Sequence, residues 1–356
     1  MDSLYTCDVY MRELDRMIEN CDLSWLSNQT VLVSGATGMV GSYLIDLLLR
    51  WHETRHTDIH VIGLGRNTAK AAARFCRYVD DPALEFVAAD INNPLPALPE
   101  RIDYVIHAAS NTHPLQYATD PVGTILSNTI GTRNMLDQAR DHHVKRFLFL
   151  SSVEIYGENR SDRDAFAEQD CGYIDCNTLR AGYPESKRVG EALCQAYRKQ
   201  YGLDAVIIRL PRLFGPTLQP NDSKALSQFI RNAVKGEPIV LKSAGTQYYS
   251  YLYTADAVSA ILNVLQCGAD GEVYNAADSR FDIHLFELAE MIAAARQTML
   301  VYDIPDSVES SGFSKATKAI MNADKLHALG WKIDSNMRER IETVIEILTS
   351  VKWGHF

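Results

Sequence analysis

The chain has 356 residues, which is enough for one large domain or two moderate ones. Its hydrophobic content of 46% and charged content of 22% are typical of a globular protein, and its formal net charge of −10 argues against general binding to nucleic acids or anionic membranes. A phosphorylated small ligand is compatible with this charge, because a few basic groups and a helix end can hold one phosphate.

No stretch has the length and apolar character of a membrane span, and the acidic, polar N-terminus does not resemble a signal peptide. The seven cysteines are scattered and include no C-x-x-C pair, which is typical of reduced thiols in a cytoplasmic protein. We therefore expect a cytoplasmic protein with no membrane partner and no metal site.

Residues 1–28 precede the first predicted strand and form a predicted N-terminal helical extension. Apolar residues recur there at helical spacing, at Tyr10, Leu14, Met17 and Ile18. The spacing predicts one amphipathic helix packed on the outside of the domain that follows.

The stretch TVLVSGATGMVGSYLIDLLL, from Thr30 to Leu49, predicts a buried strand, a glycine turn and a helix. Its three glycines suit, in order, a tight turn, a close approach of the backbone to a pyrophosphate and close packing of helix on strand. The N–H groups at the start of the helix would then face the phosphates. The residues of this candidate cofactor site are Gly35, Thr37, Gly38, Met39, Val40 and Gly41.

The next two predicted strands, HVIGLG and EFVAAD, end in further candidate cofactor contacts. Arg66 and Asn67 stand where a carboxylate would bind the adenosine ribose of NAD. An arginine there can stack on adenine or pair with a 2′-phosphate, so NADP is an alternative to NAD. Asp90, followed by Ile91, is placed to meet the adenine amino group.

A fourth predicted strand, YVIHAAS, ends in small residues that would let its backbone lie against the cofactor, namely Ala108, Ala109 and Ser110. Structural or substrate-lining roles suit His107 and His113 better than catalysis. We regard Thr112 and His113 as candidate substrate contacts.

A fifth predicted strand, FLFLSS, delivers Ser151 and Ser152 to the same edge of the sheet. Strands that alternate with helices predict an α/β protein with a Rossmann-type, doubly wound parallel sheet and ligand sites at the carboxyl ends of the strands. The predicted organisation is the extension at 1–28, a dinucleotide-binding domain at 29–182, and the catalytic helix with a smaller mixed α/β substrate lobe at 183–356. Some elements of this last part are expected to return to the first domain.

The stretch YPESK carries the predicted catalytic chemistry. Tyr183 and Lys187 are four residues apart, and on a helix they share one face. A phenol with a pKa of about 10 is a poor base at neutral pH, and a nearby ammonium group favours its ionised form. A hydroxyl from Ser152 can position a substrate hydroxyl beside the phenol.

These motifs resemble the extended short-chain dehydrogenase/reductases that modify nucleotide sugars. The resemblance runs from about Thr30 to Trp331 and includes GATGMVG, HAAS, SNTIGTRNML, LSSVEIYG, YPESKRVGEALC, IIRLPRLFGP and ADKLHALGW. It implies that Ser152, Tyr183 and Lys187 form a catalytic triad, and that Tyr183 removes a sugar hydroxyl proton while NAD accepts a hydride. It also implies a tightly bound NAD, a UDP-sugar substrate and a homodimer, with Lys187, Asn128 and Pro211 among the residues around the cofactor.

The resemblance leaves several reactions open. The UDP-glucuronate decarboxylases have Ser before the Glu of this motif and an Arg in a later strand, whereas this chain has Val153 and Tyr249 at those positions. The 4,6-dehydratases have an acid where Val153 stands, and Val153 cannot donate a proton to a leaving hydroxyl. Epimerisation, expected at C4, needs the fewest catalytic groups beyond the triad and is our first choice. Glu154 is a further candidate catalytic residue.

Decarboxylation of a UDP-uronic acid comes second, and dehydration third. An NADPH-dependent carbonyl reductase and a non-enzymatic, cofactor-sensing regulator are the remaining alternatives. The intact triad argues against the regulator, since a sensor has no need of it.

The C-terminal half is expected to hold the nucleotide sugar. Arg212 replaces an Asn that commonly contacts the substrate phosphates in the resembling family, and it could bind a phosphate or a sugar carboxylate. The other candidate substrate contacts are Lys224 and Tyr249, with Arg280, Lys315 and Lys318 as further cations for a diphosphate.

Overall fold

A computed structural model describes residues 3–112, 114–160, 162–220, 222–303, 317–351 and 353, without the side chains of Pro114 and Leu115. The strands are β1 (Thr30–Ser34), β2 (His60–Gly65), β3 (Leu84–Ala88), β4 (Tyr104–His107), β5 (Arg146–Ser152), β6 (Ala205–Leu210), β7 (Arg212–Phe214), β8 (Ile239–Leu241), β9 (Tyr248–Tyr253), β10 (Val273–Asn275), β11 (Asp282–His284), β12 (Leu300–Tyr302) and β13 (Lys318–Ala319). The helices are α1 (Asp8–Asn20), α2 (Met39–Arg55), α3 (Thr68–Arg74), α4 (Pro114–Thr119), α5 (Pro121–Asp141), α6 (Gly182–Tyr201), α7 (Ala225–Lys235), α8 (Thr254–Cys267), α9 (Leu285–Ala295), α10 (Asp324–His327) and α11 (Met337–Ser350).

A parallel sheet of seven strands organises the chain, in the order β10-β6-β5-β4-β1-β2-β3. β1 and β6 are buried along their whole length, which explains their continuous apolar sequences. The strand order reverses between β1 and β4, and a crevice forms at such a point beyond the carboxyl ends of the strands. The predicted doubly wound, Rossmann-type sheet is confirmed.

Helix α5 begins at Pro121, about one turn before Ile125. Asp120 is its N-cap, and its Oδ1 accepts a hydrogen bond of 3.0 Å from the backbone N–H of Gly123. Pro121 occupies the first helical position, where its missing N–H is not needed. The Asp-Pro pair therefore sets this boundary more firmly than hydrophobic spacing does.

The smaller lobe is mixed, as expected. β9 pairs with β7 and β13 in parallel and with β11 in antiparallel orientation, while β8 and β12 form a separate parallel pair. β9, with the sequence YYSYLY, is not predicted as a strand by alternation, because all of its residues except the first are buried. β6 and β10 come from the C-terminal half but complete the main sheet.

The N-terminal helix α1 buries the apolar residues that its spacing predicts. It also brings polar groups into the interior. The hydroxyl of Tyr5 donates to Oδ1 of Asp46 on α2 at 2.6 Å, and Tyr10 and Arg74 also contact this fully buried carboxylate. The extension is thereby joined to the helix that follows the glycine turn.

The cysteines are all free, and no described group of His, Cys, Asp and Glu could hold a metal ion. Within the described ranges, no helix combines the length and apolarity required to cross a membrane.

Candidate active site

The glycine turn lies between β1 and α2 and has little room for side chains. Gly35 has φ of +71°, and a Cβ atom there would lie 2.8 Å from the backbone N of Ala109. A Cβ atom at Gly41 would lie 2.4 Å from the carbonyl oxygen of Gly35. Gly38 is the N-cap of α2 and has no side chain to cap it, so the first N–H groups of the helix can serve a phosphate.

The exit of β2 is joined to this turn by polar contacts. Asn67 caps α3, since its side chain accepts a hydrogen bond of 2.8 Å from the N–H of Lys70. Nζ of Lys70 donates to Gln219 at 2.7 Å, and Gln219 in turn donates to the carbonyl of Thr37 at 3.3 Å. Burial and the charge of Arg66, which is exposed, lower the pKa of Lys70. Arg66 and Lys70 therefore place two cations just beyond β2, the position at which the sequence leaves both NAD and NADP possible.

The predicted contacts on β3 and β4 lie at the same sheet edge. Asp90 follows β3, and its Oδ1 accepts a hydrogen bond of 3.0 Å from the N–H of Asn92. Ile91 is buried and lies against Gly131 of α5. The N–H groups of Ala108 and Ala109 both donate to Oγ of Ser34 at 3.2 Å, which holds the end of β4 beside the turn.

His107 is a structural residue of this edge. Its ring nitrogens lie 2.7 Å from Oγ of Ser34 and 3.1 Å from Oγ1 of Thr132. Burial, followed by the charge of Lys187, lowers the pKa of His107 to about 3. The ring is neutral at physiological pH and both of its nitrogens have partners, so it is not a base. His113 lies outside the described residues, and the adjacent Thr112 is half-buried.

A chain of hydrogen bonds connects the end of β4 with α6. Oγ of Ser110 donates to Asn128 at 2.8 Å, and the amide of Asn128 donates to Ser186 at 3.0 Å. Ser186 donates to the carbonyl of Tyr183 at 2.8 Å. Asn128 thereby joins the end of β4 to α6, and its predicted place beside the cofactor stays a prediction.

Tyr183 is buried at the start of α6, and the hydroxyls of Ser152 and Ser110 lie close enough to its phenol to influence its pKa as hydrogen-bonding groups. Burial raises the pKa of Tyr183, and the charge of Glu154 raises it further. The two serine hydrogen bonds and the charge of Arg180 act in the opposite direction. The net effect of the protein alone is to keep the phenol protonated.

Lys187 lies one turn further along α6 but directs its ammonium group toward the sheet. Nζ donates to the carbonyl of Leu150 at 2.8 Å and lies 4.7 Å from the ring centroid of Phe149. Burial lowers the pKa of Lys187 to about 7, although Glu191 opposes this shift. That Lys187 sets the pKa of Tyr183 stays a prediction, since the charges that act most strongly on the phenol here are Glu154 and Arg180.

Tyr117 and Arg180 also belong to the surroundings of Tyr183, although the sequence did not single them out. The ring of Tyr117 stacks on that of Tyr183, with centroids 4.9 Å apart and an interplanar angle of 26°. Cζ of Arg180 lies 4.7 Å from the centroid of Tyr117, and its Nη2 lies 2.6 Å from Oε1 of Glu154. The signal available in the sequence is that Arg180 precedes Tyr183 by three residues; it lies in a short 3₁₀ turn, Leu179–Ala181, directly before α6.

Arg212 and Tyr249 form a second group beyond β6. Leu210 pairs with Ser152 in the sheet, so the buried Pro211 and then Arg212 follow directly from the catalytic edge. Cζ of Arg212 lies 3.4 Å from the ring centroid of Tyr249, and Nη1 is buried without a hydrogen-bond partner among the described residues. A cation in this position suits an anionic part of a ligand.

The other predicted cations have partners of their own. Lys224 lies 3.3 Å from Asp222, Arg280 lies 2.8 Å from Asp278, and Lys318 lies 3.4 Å from Asp164. Arg280 also donates to the carbonyl of Ile333, so it is a weaker candidate for a diphosphate than Arg212. Lys315 lies outside the described residues.

Residues 31–277, more than half of the chain, match the family described as the NAD dependent epimerase/dehydratase family. The chain belongs to this family. The resemblance to nucleotide-sugar enzymes of this type is confirmed, and so is NAD as the cofactor of the family. The turn formed by Gly35, Gly38 and Gly41 fits that cofactor, because Gly35 and Gly41 let the backbone pack closely and Gly38 leaves the first N–H groups of α2 without a side-chain cap.

Several curated relatives of this epimerase/dehydratase protein are UDP-glucuronic acid decarboxylases. One from Arabidopsis thaliana, named UDP-glucuronic acid decarboxylase 5, is 29% identical over 326 residues, which cover 90% of this chain and 89% of the relative. UDP-glucuronic acid decarboxylase 1 from Xenopus tropicalis is 31% identical over 252 residues, which cover 70% of this chain and 57% of the relative.

Solved structures with the same fold include other members of this group of enzymes. A dTDP-glucose 4,6-dehydratase from Streptomyces venezuelae gives a TM-score of 0.78 at 23% identity, over 92% of this chain and 99% of the other. A UDP-glucuronic acid 4-epimerase from Bacillus cereus gives a TM-score of 0.75 at 20% identity, over 91% and 99%. These similarities extend the match in fold to the smaller lobe.

Proposed function

We propose that this family member is an NAD-dependent UDP-sugar epimerase that acts at C4. The observation that carries the proposal is the buried phenol of Tyr183, whose pKa is influenced by the hydroxyls of Ser152 and Ser110 beside it. A sugar hydroxyl that enters this site meets a base and a hydrogen-bonding partner within one small space.

Each residue of the proposed site has a separate role. Tyr183 takes the proton of the sugar hydroxyl, and Ser152 orients that hydroxyl through its Oγ. The glycine turn at Gly35, Gly38 and Gly41 would hold NAD, which would supply the hydride acceptor and donor for the sugar carbon. Arg212, seated on Tyr249, holds the charged part of the nucleotide sugar.

Epimerisation is favoured because the site offers little for a second chemical step. The side chain of Val153 is buried hydrocarbon and cannot protonate a leaving hydroxyl. Glu154, the acid next to Val153 in sequence, is held in an ion pair with Arg180 at 2.6 Å. Rotation of an oxidised sugar and return of the same hydride need neither group.

Decarboxylation of UDP-glucuronic acid is the second candidate, and the names of the curated relatives favour it. Oxidation at C4 of a uronic acid gives a β-keto acid, which loses carbon dioxide readily without a further acid. Under this alternative the guanidinium of Arg212 would hold the sugar carboxylate.

We also propose a homodimer formed through α5 and α6. Both helices carry exposed apolar side chains, namely Val122, Ile125 and Leu126 on α5 and Val189 on α6. Such a patch on paired helices suits a second copy of the chain. Sedimentation of the protein and of a Leu126→Asp variant tests this, and a monomeric parent protein would contradict it.

The deciding experiment is incubation of the purified protein with UDP-glucose, UDP-galactose and the two corresponding uronic acids, followed by mass spectrometry and proton NMR. An unchanged mass with a new sugar spectrum establishes the epimerase. Loss of carbon dioxide establishes the decarboxylase, and loss of water would refute the reasoning from Val153. The Tyr183→Phe variant, treated in parallel, separates turnover by this site from a contaminating activity.

A further inference from the structure

Tyr183 is contacted on one side by a layered group that does not belong to the triad. The ring of Tyr117 stacks on Tyr183, and the guanidinium of Arg180 lies over the ring of Tyr117. Tyr117 is buried, whereas Arg180 is exposed and extends to Glu154. One arginine thus contacts both the ring that supports the phenol and the nearest carboxylate.

Glu154 poses an electrostatic problem for a base at Tyr183. A carboxylate beside a phenol opposes the formation of phenolate, because two like charges would then share a site of low polarity. Glu154 stands two residues beyond Ser152, at the end of the strand that presents the serine, and its backbone N–H donates to Ser152 at 3.2 Å. The end of the strand therefore places Glu154 where its charge acts on the phenol, and the charge of Arg180, which pairs with this carboxylate, acts in the opposite direction.

The groups that face Tyr183 come from several elements. The polar and titratable ones are Ser110 after β4, Tyr117 on α4, Ser152 and Glu154 at the end of β5 and Arg180 before α6, and Lys187 follows one turn further along α6. Asp222 acts on Tyr117 from the lobe side. Of the two cations in this set, Lys187 donates to a carbonyl of the sheet, whereas Arg180 directly pairs with Glu154.

We infer that Arg180 is a positioning residue that neutralises Glu154 and, through the ring of Tyr117, holds Tyr183, so that the phenol can give up its proton. The inference rests on the proposed function only in taking Tyr183 as the base. In this arrangement the charge of Glu154 disfavours the phenolate form of Tyr183, and the charge of Arg180 offsets that effect. It also gives a reason for the short spacing of the two residues, with Arg180 in the 3₁₀ turn directly before α6 and Tyr183 in the first turn of α6.

The first test uses the NAD-loaded protein without substrate. Tyrosine labelled with a carbon isotope at Cζ reports ionisation of Tyr183 by NMR, and the Tyr183→Phe variant identifies its signal. Arg180→Met should move the titration of Tyr183 to higher pH, and Arg180→Lys should move it less. Glu154→Gln should move it to lower pH, and the double variant Arg180→Met with Glu154→Gln should fall near the parent protein.

Arg198→Met is the matched control. Arg198 lies on α6, as Tyr183 does, and like Arg180 it pairs with an acid, Asp270, at 2.6 Å. It stands fifteen residues beyond Tyr183, which is about 22 Å along a helix, and its loss should leave the titration unchanged. Should Arg180→Met fail to fold, Glu154→Gln alone tests the same electrostatic coupling. An unmoved Tyr183 titration in both Arg180→Met and Glu154→Gln would overturn the inference.

The second test is the pH dependence of kcat/KM. On the acid side of the profile, Arg180→Met should lower kcat/KM about tenfold for each unit by which the pKa of Tyr183 rises. A raised KM with an unmoved pH profile would overturn the inference in favour of direct substrate binding by Arg180. If the parent protein turns over no nucleotide sugar, the proposed function fails, while the NMR titration still decides the role of Arg180.

Discussion

The guanidinium of Arg212 lies over the ring of Tyr249, with its Cζ 3.4 Å from the ring centroid. Arg212 is on β7, where it pairs in register with Tyr251 of β9, and Tyr249 is two residues earlier on the same face of β9. The aromatic face replaces water on one side of the cation, and the buried Nη1 has no hydrogen-bond partner in the described part of the chain. An anion of the substrate would complete this arrangement.

Replacement of Arg212 by Ala should raise KM for the nucleotide sugar about 10- to 100-fold with a smaller change in kcat, because a charge-assisted pair contributes about 1.5–3 kcal/mol. Arg212→Lys should recover little, since an ammonium group lacks the planar shape that stacks on Tyr249. Steady-state kinetics measures both. Arg338→Ala, an exposed arginine on α11, is the control, and a KM equal to that of the parent protein in Arg212→Ala would contradict the assignment.

Much of the main sheet could be predicted from the sequence. Buried parallel strands such as β1 and β6 are short apolar runs between loops, and the helices between them carry clear spacing and caps. The strands of the smaller lobe were harder to predict. β7, β11, β12 and β13 have only two or three residues each, which is too short for any periodic pattern, and they are fixed by pairing with distant segments.

Some residues of the candidate site could likewise be predicted from the sequence, and others could not. The glycine turn, Ser152 and Tyr183 belong to local motifs whose spacing carries their chemistry, so they could be singled out from sequence. Tyr117 and Arg180 could not, because their importance arises only when α4, the end of β5 and α6 come together. Sequence spacing also placed Lys187 on the face of Tyr183 but could not tell that its ammonium group is directed to the carbonyl of Leu150.

Gly35→Ala should destabilise the protein and lower its NAD content. A non-glycine residue at φ of +71° costs about 1–2 kcal/mol, and overlap of its Cβ with backbone atoms of Ala108 and Ala109 adds about 1–3 kcal/mol. The free energy of unfolding in urea and the nucleotide released on denaturation measure the two effects.

Gly202→Ala separates the two contributions. Gly202 ends α6 with φ of +69°, and a Cβ atom there would meet no atom within 4 Å. This variant should therefore lose only the conformational cost and keep its NAD. Equal destabilisation of both variants would show that the close approach at Gly35 is not a constraint.

Tyr183→Phe should lower kcat by about 10²- to 10⁴-fold, the usual contribution of a general acid–base group. Folding and NAD content should change little, since the ring that stacks on Tyr117 is retained. Absorbance of NADH formed on the bound cofactor after a nucleotide sugar is added reports the first half of the reaction. Tyr201→Phe, an exposed tyrosine of the same helix, should behave as the parent protein, and substantial activity of Tyr183→Phe would remove the assigned base.

Lys187 should make the stability of the protein depend on pH. Burial lowers its pKa to about 7 in the folded chain, whereas an unfolded lysine titrates at about 10.4. Between these values the unfolded state binds more protons than the folded state, so the free energy of unfolding rises with pH, by up to about 1.4 kcal/mol per pH unit. Below the lower value both states are protonated, and the full cost of burying the charge remains.

Lys187→Met removes this titration. Stripped of nucleotide, the variant should be more stable than the parent protein near pH 7, and the difference should shrink as the pH approaches about 10. Urea unfolding at a series of pH values measures it, with Lys199→Met, an exposed lysine of the same helix, as the control that should follow the parent protein. A constant difference between the parent and Lys187→Met across this range would mean that Lys187 keeps its proton when buried, held by Glu191 and the carbonyl of Leu150. In that case its charge would be available to the phenol of Tyr183 after all.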